Sequence, residues 1–376
     1  MTVRRVFLVG VLSLSFVAGG CRIFPDGSNS GTADQAISRG FNTQPRIRYG
    51  TYPCAIFATP LVGAKMGTHS YHWSPFEKNA IAYTCSAGHV DVIHIRIAAD
   101  WTAYLTSVAY KTMMKGDTRF SYKLAVDRSR NFVTISYPKG WAYLPEKTRS
   151  AIARDVAMAM GPYLAFTTVT WHEILTWYGF KCVGLPVEFA SAFSWEDSYS
   201  NLLGTILAVR AMRDTKHTYN KAVRIALDEE MRKLGVQPAR VAHAASDSVR
   251  GKWFTGNIAV FVDMKKRNFD IGLDDGFITP TIVPGVSQCP EARPVSYPVP
   301  DLSLLEEYGF SLNLEIEPHE WEKTKVLNVV RQKKRINPRL HFAQYLDAIR
   351  REAAVRYGPE YNPDLDKSNQ PVYTAK

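Results

Sequence analysis

The sequence predicts an α+β protein with a mainly helical core, against which a β-hairpin and a few short strands pack. The run from Ala151 to Tyr178 is rich in alanine, methionine, leucine and aromatic residues, which indicates a long buried helix that ends at Gly179. Residues 120–126 and 131–137 alternate apolar and polar side chains on either side of a polar turn, the pattern of a hairpin. Helices therefore supply most of the core, and the hairpin covers one side of it.

The remaining segments fit the same fold class. A proline inside the long run, at Gly161-Pro162, predicts a kink there. The residues after Ser194 have acidic side chains placed as a helix first turn, with Ser194 as the cap. Apolar spacing and breakers predict further helices at 218–234, 238–248, 320–331 and 338–357, a strand at 310–316 and an ordered proline-rich wrap at 280–300.

The length and composition indicate a chain with a large hydrophobic core. It has 376 residues, of which 46% are hydrophobic and 12% aromatic. A chain of this size buries enough apolar surface to fold without further support. We expect one globular domain over residues 45–358 and a C-terminal tail over 359–376.

The N-terminus has the pattern of a bacterial lipoprotein signal peptide over residues 1–21. Two arginines precede the apolar stretch Val6–Val17, which is too short to span a bilayer comfortably, and small residues lead to Cys21. We predict that Cys21 becomes the lipidated (palmitate-bearing) N-terminus and that residues 22–44 form a flexible tether. By resemblance to lipoprotein sorting rules, Arg22 favours the outer membrane, with the domain on its periplasmic face.

The net charge of +11 indicates that any charged partner of the chain is anionic. Much of it lies near the C-terminus, at residues 331–335 and 350–351. An exported protein does not meet nucleic acid, so an anionic lipid or an envelope glycan is the partner that this charge favours. A solvated basic helix face explains the same charge without any partner.

The cysteines predict disulfides. An even number of cysteines in an oxidising compartment favours two bridges, and their spacing leaves all three connectivities open. We expect at least one bridge among the four that follow the signal peptide, Cys54, Cys85, Cys182 and Cys289.

The first candidate site residues are His172 and Glu173, which interrupt the apolar central helix. A buried charge must be paired, hydrogen-bonded or neutralised, so both need partners. Asp91 and His94 form a second polar pair in an apolar context and share one face if their helix begins before Asp91. The central helix lacks a complete zinc-protease motif, since Thr176 stands where a second histidine would follow His172.

We expect these groups to converge on one cleft between three helices, as the site of an acid/base or metal-assisted hydrolase. The catalytic candidates are His172, Glu173, Asp91, His94 and Arg96, with Glu188, Glu196 and Asp197 as further carboxylates. His94, His172 and Asp91 are the candidate ligands for a divalent metal such as zinc. The alternative is a structural network in which Arg96 pairs with one of the carboxylates.

Two other functions remain open. The first is acyl transfer with Cys85, near a helix start, as the nucleophile and His89 or His94 as the base. The alternative for Cys85 is that it forms a disulfide. A non-enzymatic envelope lipoprotein that binds lipid, glycan or protein is the other. The sequence contains neither a Gly-x-Ser-x-Gly nor a Walker motif.

Several stretches together resemble a family of bacterial envelope proteins known as domain of unknown function 4056. They are the Tyr-Thr-Cys…Gly…Asp…His-x-Arg…Asp-Trp segment at 83–101, the Trp-His-Glu-Ile-x-x-Trp-Tyr-Gly segment at 171–179, the segment at 191–204, Gly251-x-Trp253 and Asp270-Ile-Gly272 with Asp275-Gly276. The resemblance extends over roughly residues 45–358. It implies an envelope protein and carries no activity with it.

Overall fold

The computed structural model describes residues 28–48, 65–72, 74, 76–124, 126–179, 189, 191–256, 263–319 and 322–361. Within these residues the chain has the predicted α+β fold, with nine α-helices and small antiparallel strand pairs. The helices are α1 Ala36–Arg39, α2 Val92–Lys115, α3 Glu146–Trp177, α4 Asp197–Ala211, α5 Tyr219–Lys233, α6 Ala239–Val249, α7 Ser303–Glu307, α8 Lys323–Val329 and α9 Pro338–Tyr357. The strands are β1 Ile81–Thr84, β2 Gly88–Asp91, β3 Arg119–Lys123, β4 Arg130–Ser136, β5 Phe254–Thr255, β6 Asp263–Met264, β7 Phe277–Ile278, β8 Tyr297–Pro298 and β9 Ser311–Glu317.

The predicted central helix is confirmed as α3. It continues through Pro162 and is followed by Gly179, whose φ of 102° lies in the region that glycine adopts most easily. Its side chains are buried along most of the second half, including Trp171 and Ile174. The composition of this run indicated a helix with apolar side chains on nearly every face, and such a helix is buried on nearly every side.

Helix α2 packs against both α3 and α4 and forms the centre of the fold. Gly204 of α4 lies directly against α2, where a Cβ atom would clash with the carbonyl oxygen of Ile95 and the methyl group of Ala98. The missing side chain lets the two helices approach closely. This contact brings the first turn of α4 beside the first turn of α2.

The predicted hairpin is formed by β3 and β4, and β9 extends it to a three-stranded antiparallel sheet with β4 in the middle. Val133 and Ile135 of β4 are opposite Leu314 and Leu312 of β9, and all four side chains are buried. The hydroxyl groups of Tyr122 and Thr168 lie 2.8 Å apart and connect the sheet to α3. The sheet therefore shields one side of the helical core, as expected.

Packed structure is present in part of the segment that we expected to be a tether. Residues 28–44, which we assigned to a flexible tether, include α1, and Ala33 and Ile37 are buried against α2 and α4. These alanine and isoleucine side chains have enough apolar surface to dock a single helical turn. At the other end, Tyr361 is buried and its hydroxyl donates to the Lys265 carbonyl at 2.5 Å, so packing continues past residue 358.

A disulfide joins Cys85 to Cys289, with 5.3 Å between the two Cα atoms. It confirms the expectation of at least one bridge, and it fastens the proline-rich segment to the end of β1. Cys21, Cys54 and Cys182 lie outside the described residues. Among the described helices, none combines the length and the apolar character that crossing a membrane needs.

Candidate functional site

Asp91 is the N-cap of α2. Its Oδ1 atom accepts a hydrogen bond from the Ile93 backbone at 2.7 Å and from the His94 backbone at 3.4 Å, while its own N–H donates to Ser200 Oγ at 2.8 Å. The helix thus begins after Asp91, not before it as a shared helical face requires. Capping still places this fully buried carboxylate next to His94.

His94 lies in the first turn of α2 and pairs with Asp197, the first residue of α4. The distance from His94 Nδ1 is 3.0 Å to Asp197 Oδ1 and 3.7 Å to Asp91 Oδ2. Asp197 is held in turn by the Ser194 backbone N–H, which donates to Oδ2 at 2.8 Å. The capping that we predicted from the Ser194 side chain therefore runs the other way, from the Ser194 backbone to the Asp197 carboxylate.

Two further carboxyl groups, on Glu173 and Glu196, complete the group. Glu173 is buried on α3, and its Oε2 atom accepts a hydrogen bond from the Phe193 backbone at 3.0 Å. Glu196 is fully buried, and its carboxyl group lies near the carboxylates of Asp197 and Asp91. We call Asp91, His94, Glu173, Glu196 and Asp197 the His94 cluster.

The His94 cluster shifts the pKa of its members in both directions. Burial, followed by the charge of Asp197, raises the pKa of Glu173 to about 7. Burial and the charges of Asp197 and Asp91 raise the pKa of Glu196 well above 4.5. Burial alone would lower the pKa of His94, but the charges of Asp91 and Asp197 outweigh it and raise this pKa well above 6.5. The cluster therefore holds a protonated imidazole beside a carboxyl group that titrates near neutral pH.

His172 lies beside the cluster but pairs elsewhere. Its Nδ1 atom is 3.2 Å from Oδ2 of Asp127, a buried residue of the turn between β3 and β4. Its charge still lowers the pKa of Glu173. Sequence reasoning missed Asp127 because a turn aspartate is normally a local cap, and Asp127 also accepts from the Ser129 backbone at 2.8 Å.

Of the three predicted metal ligands, Asp91 and His94 lie together, and His172 does not join them. His94 pairs with Asp197, His172 pairs with Asp127, and no three His, Cys, Asp or Glu side chains of the described residues are placed to hold one metal ion. A zinc site needs three or four such donors at about 2 Å from the ion. Glu188, another candidate from the sequence, lies outside the described residues.

Arg96 is not part of the His94 cluster, although we expected it in the same cleft. Residues two positions apart on a helix point about 200° apart, so Arg96 leaves α2 on the side opposite His94. Its guanidinium donates to the carbonyl oxygens of Met66 and Thr68, both at 2.7 Å. It belongs to a second buried group that we call the Arg96 network: Arg46, Arg48, His69, Glu77, Arg96 and Asp100.

The Arg96 network is a dense set of buried ion pairs. Arg48 Nη2 lies 2.7 Å from Asp100 Oδ2, and His69 Nε2 lies 3.0 Å from Asp100 Oδ1. Burial would raise the pKa of Asp100, but the charges of Arg48 and His69 outweigh it and hold this pKa at about 2. The signal that sequence reasoning overlooked is the four-residue spacing of Arg96 and Asp100, which puts both on one face of α2.

The cysteine-nucleophile hypothesis is overturned. Cys85 is bonded to Cys289, so it has no free thiol. His89 is buried between the rings of Tyr83 and Trp195, and burial lowers its pKa to about 4. Both groups support the packing around the disulfide.

Comparison with known proteins places the chain in a family of unknown function. The model of a family described as Protein of unknown function (DUF4056) matches residues 63–277, which include α2 to α6 and every residue of the His94 cluster. No curated protein and no solved structure matches the chain.

Proposed function

The chain belongs to the DUF4056 family, and from the chemistry of the His94 cluster we propose that it is an acid/base hydrolase of the bacterial cell envelope. The arrangement that carries this proposal is a partly exposed His94, paired with Asp197 at 3.0 Å, next to the buried Glu173, whose pKa is raised to about 7 by burial and by the charge of Asp197. General acids and bases work best when their pKa lies near the working pH, and burial among like charges is how enzymes raise a glutamate to that value.

In this proposal His94 is the group that meets the substrate. Its side chain is 19% exposed, whereas those of Asp91 and Asp197 are at most 1% exposed. Asp197 holds Nδ1, which leaves Nε2 outside these contacts to donate a proton to the leaving atom of the scissile bond. Glu173 accepts the proton that the attacking water loses, and that proton returns to His94 after product release.

The remaining carboxylates keep His94 charged. Asp91 and Asp197 favour the imidazolium, and Asp91 is fixed as the N-cap of α2 while Asp197 is fixed by the Ser194 backbone. Fixed charges of this kind stabilise a developing charge without reorganising during the reaction. No step of this mechanism needs a metal ion.

The envelope location is part of the proposal and rests on the N-terminal sequence. The basic residues, the short apolar stretch and the small residues before Cys21 support export and lipidation of Cys21, with attachment to the outer membrane on its periplasmic face. The substrate is then a glycan or peptide of the envelope. The lipid on Cys21 is also the contact with the membrane.

The direct test is release of soluble fragments from purified cell-wall sacculi. We expect fragments from the wild-type chain, loss of at least a hundredfold in rate in His94→Gln, and no change in the matched control Glu229→Gln, an exposed residue of α5. The rate should rise through a pKa near 7 as Glu173 ionises, and Glu173→Gln should remove that rise. Equal rates in wild type and His94→Gln exclude this site.

A non-enzymatic envelope lipoprotein is the second candidate, and the depth of the cluster favours it. Glu173 is only 6% exposed and Glu196 is fully buried, as expected for groups that hold helices together. In that case sacculi are bound without being cut, and His94→Gln lowers stability without altering binding.

A further inference from the structure

We propose that a cleft between residues 65–68, Phe76 and α5 binds a phosphate group, carried by a lipid headgroup or by a soluble phosphate ester. This basic cleft has a volume of about 570 Å³, and its lining includes Lys65, Thr68, Phe76, Arg224, Asp228 and Arg232. A smaller hollow of about 290 Å³ shares Thr68 and Arg224 with it and adds His69 and Lys221. The two hollows are therefore neighbours on the surface, and none of their lining residues belongs to the His94 cluster.

The charges of the basic cleft are unbalanced. Four exposed cations, on Lys65, Lys221, Arg224 and Arg232, face a single carboxylate, on Asp228. The salt bridges formed by the described residues include none of these four cations. Four cations beside one carboxylate leave a net positive charge, and a multiply charged anion between them reduces their mutual repulsion.

The floor of the cleft adds further positive charge. Met66 and Thr68 line the cleft, and their backbone carbonyls accept hydrogen bonds from Arg96. The Arg96 network contains three arginines and only two carboxylates, on Glu77 and Asp100, so it carries an excess cation. Burial, together with the charges of Arg48 and Arg46, lowers the pKa of Arg96 to about 10, and its charge reaches Asp228 in the cleft.

The rim of the cleft indicates what the phosphate is attached to. Phe76 is 73% exposed, although a phenylalanine is normally buried. It stands beside the cations, so a ligand that places its phosphate among Arg224, Arg232 and Lys65 can cover the ring with an apolar part. Arginine forks suit phosphate oxygens, and an aromatic ring beside them suits an acyl chain or a ring system.

Two probes test the proposal on the full chain carrying Cys21→Ser, so that no lipid anchor contributes. Inorganic phosphate is titrated calorimetrically at low salt, and co-sedimentation is measured with vesicles of phosphatidylglycerol against vesicles of phosphatidylcholine. We expect saturable binding of phosphate, of phosphatidylglycerol vesicles, or of both. Arg224→Glu, at the residue shared by the two hollows, should weaken that binding at least tenfold.

Matched controls separate a site from general positive charge. Arg240→Glu, on the exposed side of α6, and Lys333→Glu, in the basic segment 331–335, should each stay within twofold of the parent chain. Phe76→Ala should weaken vesicle binding and leave inorganic phosphate unaffected. Binding of phosphate alone identifies a soluble phosphate ester, and binding of vesicles alone identifies a lipid headgroup.

The proposal is overturned if neither probe binds, or if the three charge reversals weaken binding equally. Arg224 is exposed and outside the core, so its variant should unfold at the same temperature as the parent chain. Should that variant fail to fold, Lys221→Glu and Arg232→Glu, also exposed on α5, carry the same expectation. This binding is independent of the His94 cluster, and His94→Gln should leave it unchanged.

Discussion

His94 pairs with Asp197 at 3.0 Å, whereas Arg96, two residues later on the same helix, donates to Met66 and Thr68 on the opposite side. Helix α2 therefore separates two buried ionic groups of different character. The His94 cluster has more carboxyl groups than cations, and the Arg96 network has more cations than carboxylates. Neighbouring carboxylates raise the pKa of a buried glutamate towards 7. A carboxylate paired with cations has a lowered pKa and stays charged down to acid pH.

The first prediction concerns the pH dependence of stability that Glu173 imposes. Its pKa is about 7 in the folded chain and near 4.5 when unfolded, so the folded state binds the proton more tightly. Ionising the buried carboxyl group lowers the free energy of unfolding. This loss is absent below pH 4.5, grows as the pH rises and is complete above pH 7. Glu173→Gln should therefore match the wild type near pH 4.5 and exceed its free energy of unfolding by about 3 kcal/mol at pH 8.

Denaturant unfolding at several pH values measures this difference. Gln keeps an oxygen that can accept from the Phe193 backbone, so the substitution changes charge more than shape. The matched control is Glu229→Gln on the surface of α5, which should be neutral throughout. A Glu173→Gln chain that is less stable than the wild type at pH 8 would mean that the ionised carboxylate stabilises the fold.

The second prediction is that the Arg96 network is structural. Asp100→Asn removes the charge that Arg48 and His69 pair with, and stranding a buried cation costs about 3–5 kcal/mol of unfolding free energy. The pKa of Asp100 is about 2, below its unfolded value of 3.8, so its contribution is present above pH 3.8 and declines as the pH falls towards 2. Thermal or urea unfolding at pH 7 measures the loss.

An exposed ion pair provides the control for the Arg96 network. Asp247 and Arg250 are 2.5 Å apart, but their side chains are 62% and 33% exposed. Asp247→Asn should cost less than about 1 kcal/mol because solvent screens the pair. Equal losses in the two variants would contradict the structural role of Asp100.

The helical part of the fold was predictable because its signals are local. The run to Gly179 became α3, and the predicted helix at 338–357 has the bounds of α9. The third strand of the sheet was different: alternation at 310–316 indicated a strand, but nothing local shows that β9 pairs with β4 across more than 170 residues of sequence. Residues 28–44 misled us because a single buried turn, α1, has too short an apolar pattern to stand out.

The candidate site was partly predictable for the same reason. A polar side chain in an apolar helix must find a partner, and His94, Glu173, Glu196 and Asp197, which this rule selected, lie near one another. It does not say which partner, so Arg96 was placed with the wrong group. Helical geometry decides this once the start of α2 is known, and the N-cap at Asp91 fixed that start.

The third prediction concerns the Cys85–Cys289 bridge, which spans 204 residues of sequence. Mass spectrometry of unreduced peptides should find these two residues linked, and reduction should cost about 2–4 kcal/mol of unfolding free energy. The Cys85→Ser/Cys289→Ser double variant lacks this bridge, so its free energy of unfolding should match that of the wild type in which this bridge is reduced. Reductant should have no further effect through these two positions. Alkylation of Cys85 without reduction would contradict the bridge and restore it as a nucleophile.

The last prediction is that Cys21 is the membrane attachment point. Processing at the small residues before Cys21 needs the thiol, because the acyl chains are added to it, and several acyl chains hold a protein to a membrane where one chain is marginal. Wild-type protein should therefore fractionate with the outer membrane. Cys21→Ser should stay unprocessed or leave the membrane fraction, whereas Cys85→Ser should fractionate as wild type. Metabolic labelling with palmitate measures the lipid directly. Identical maturation, labelling and fractionation in the Cys21→Ser chain would rule out the lipid anchor, and with it the outer-membrane location.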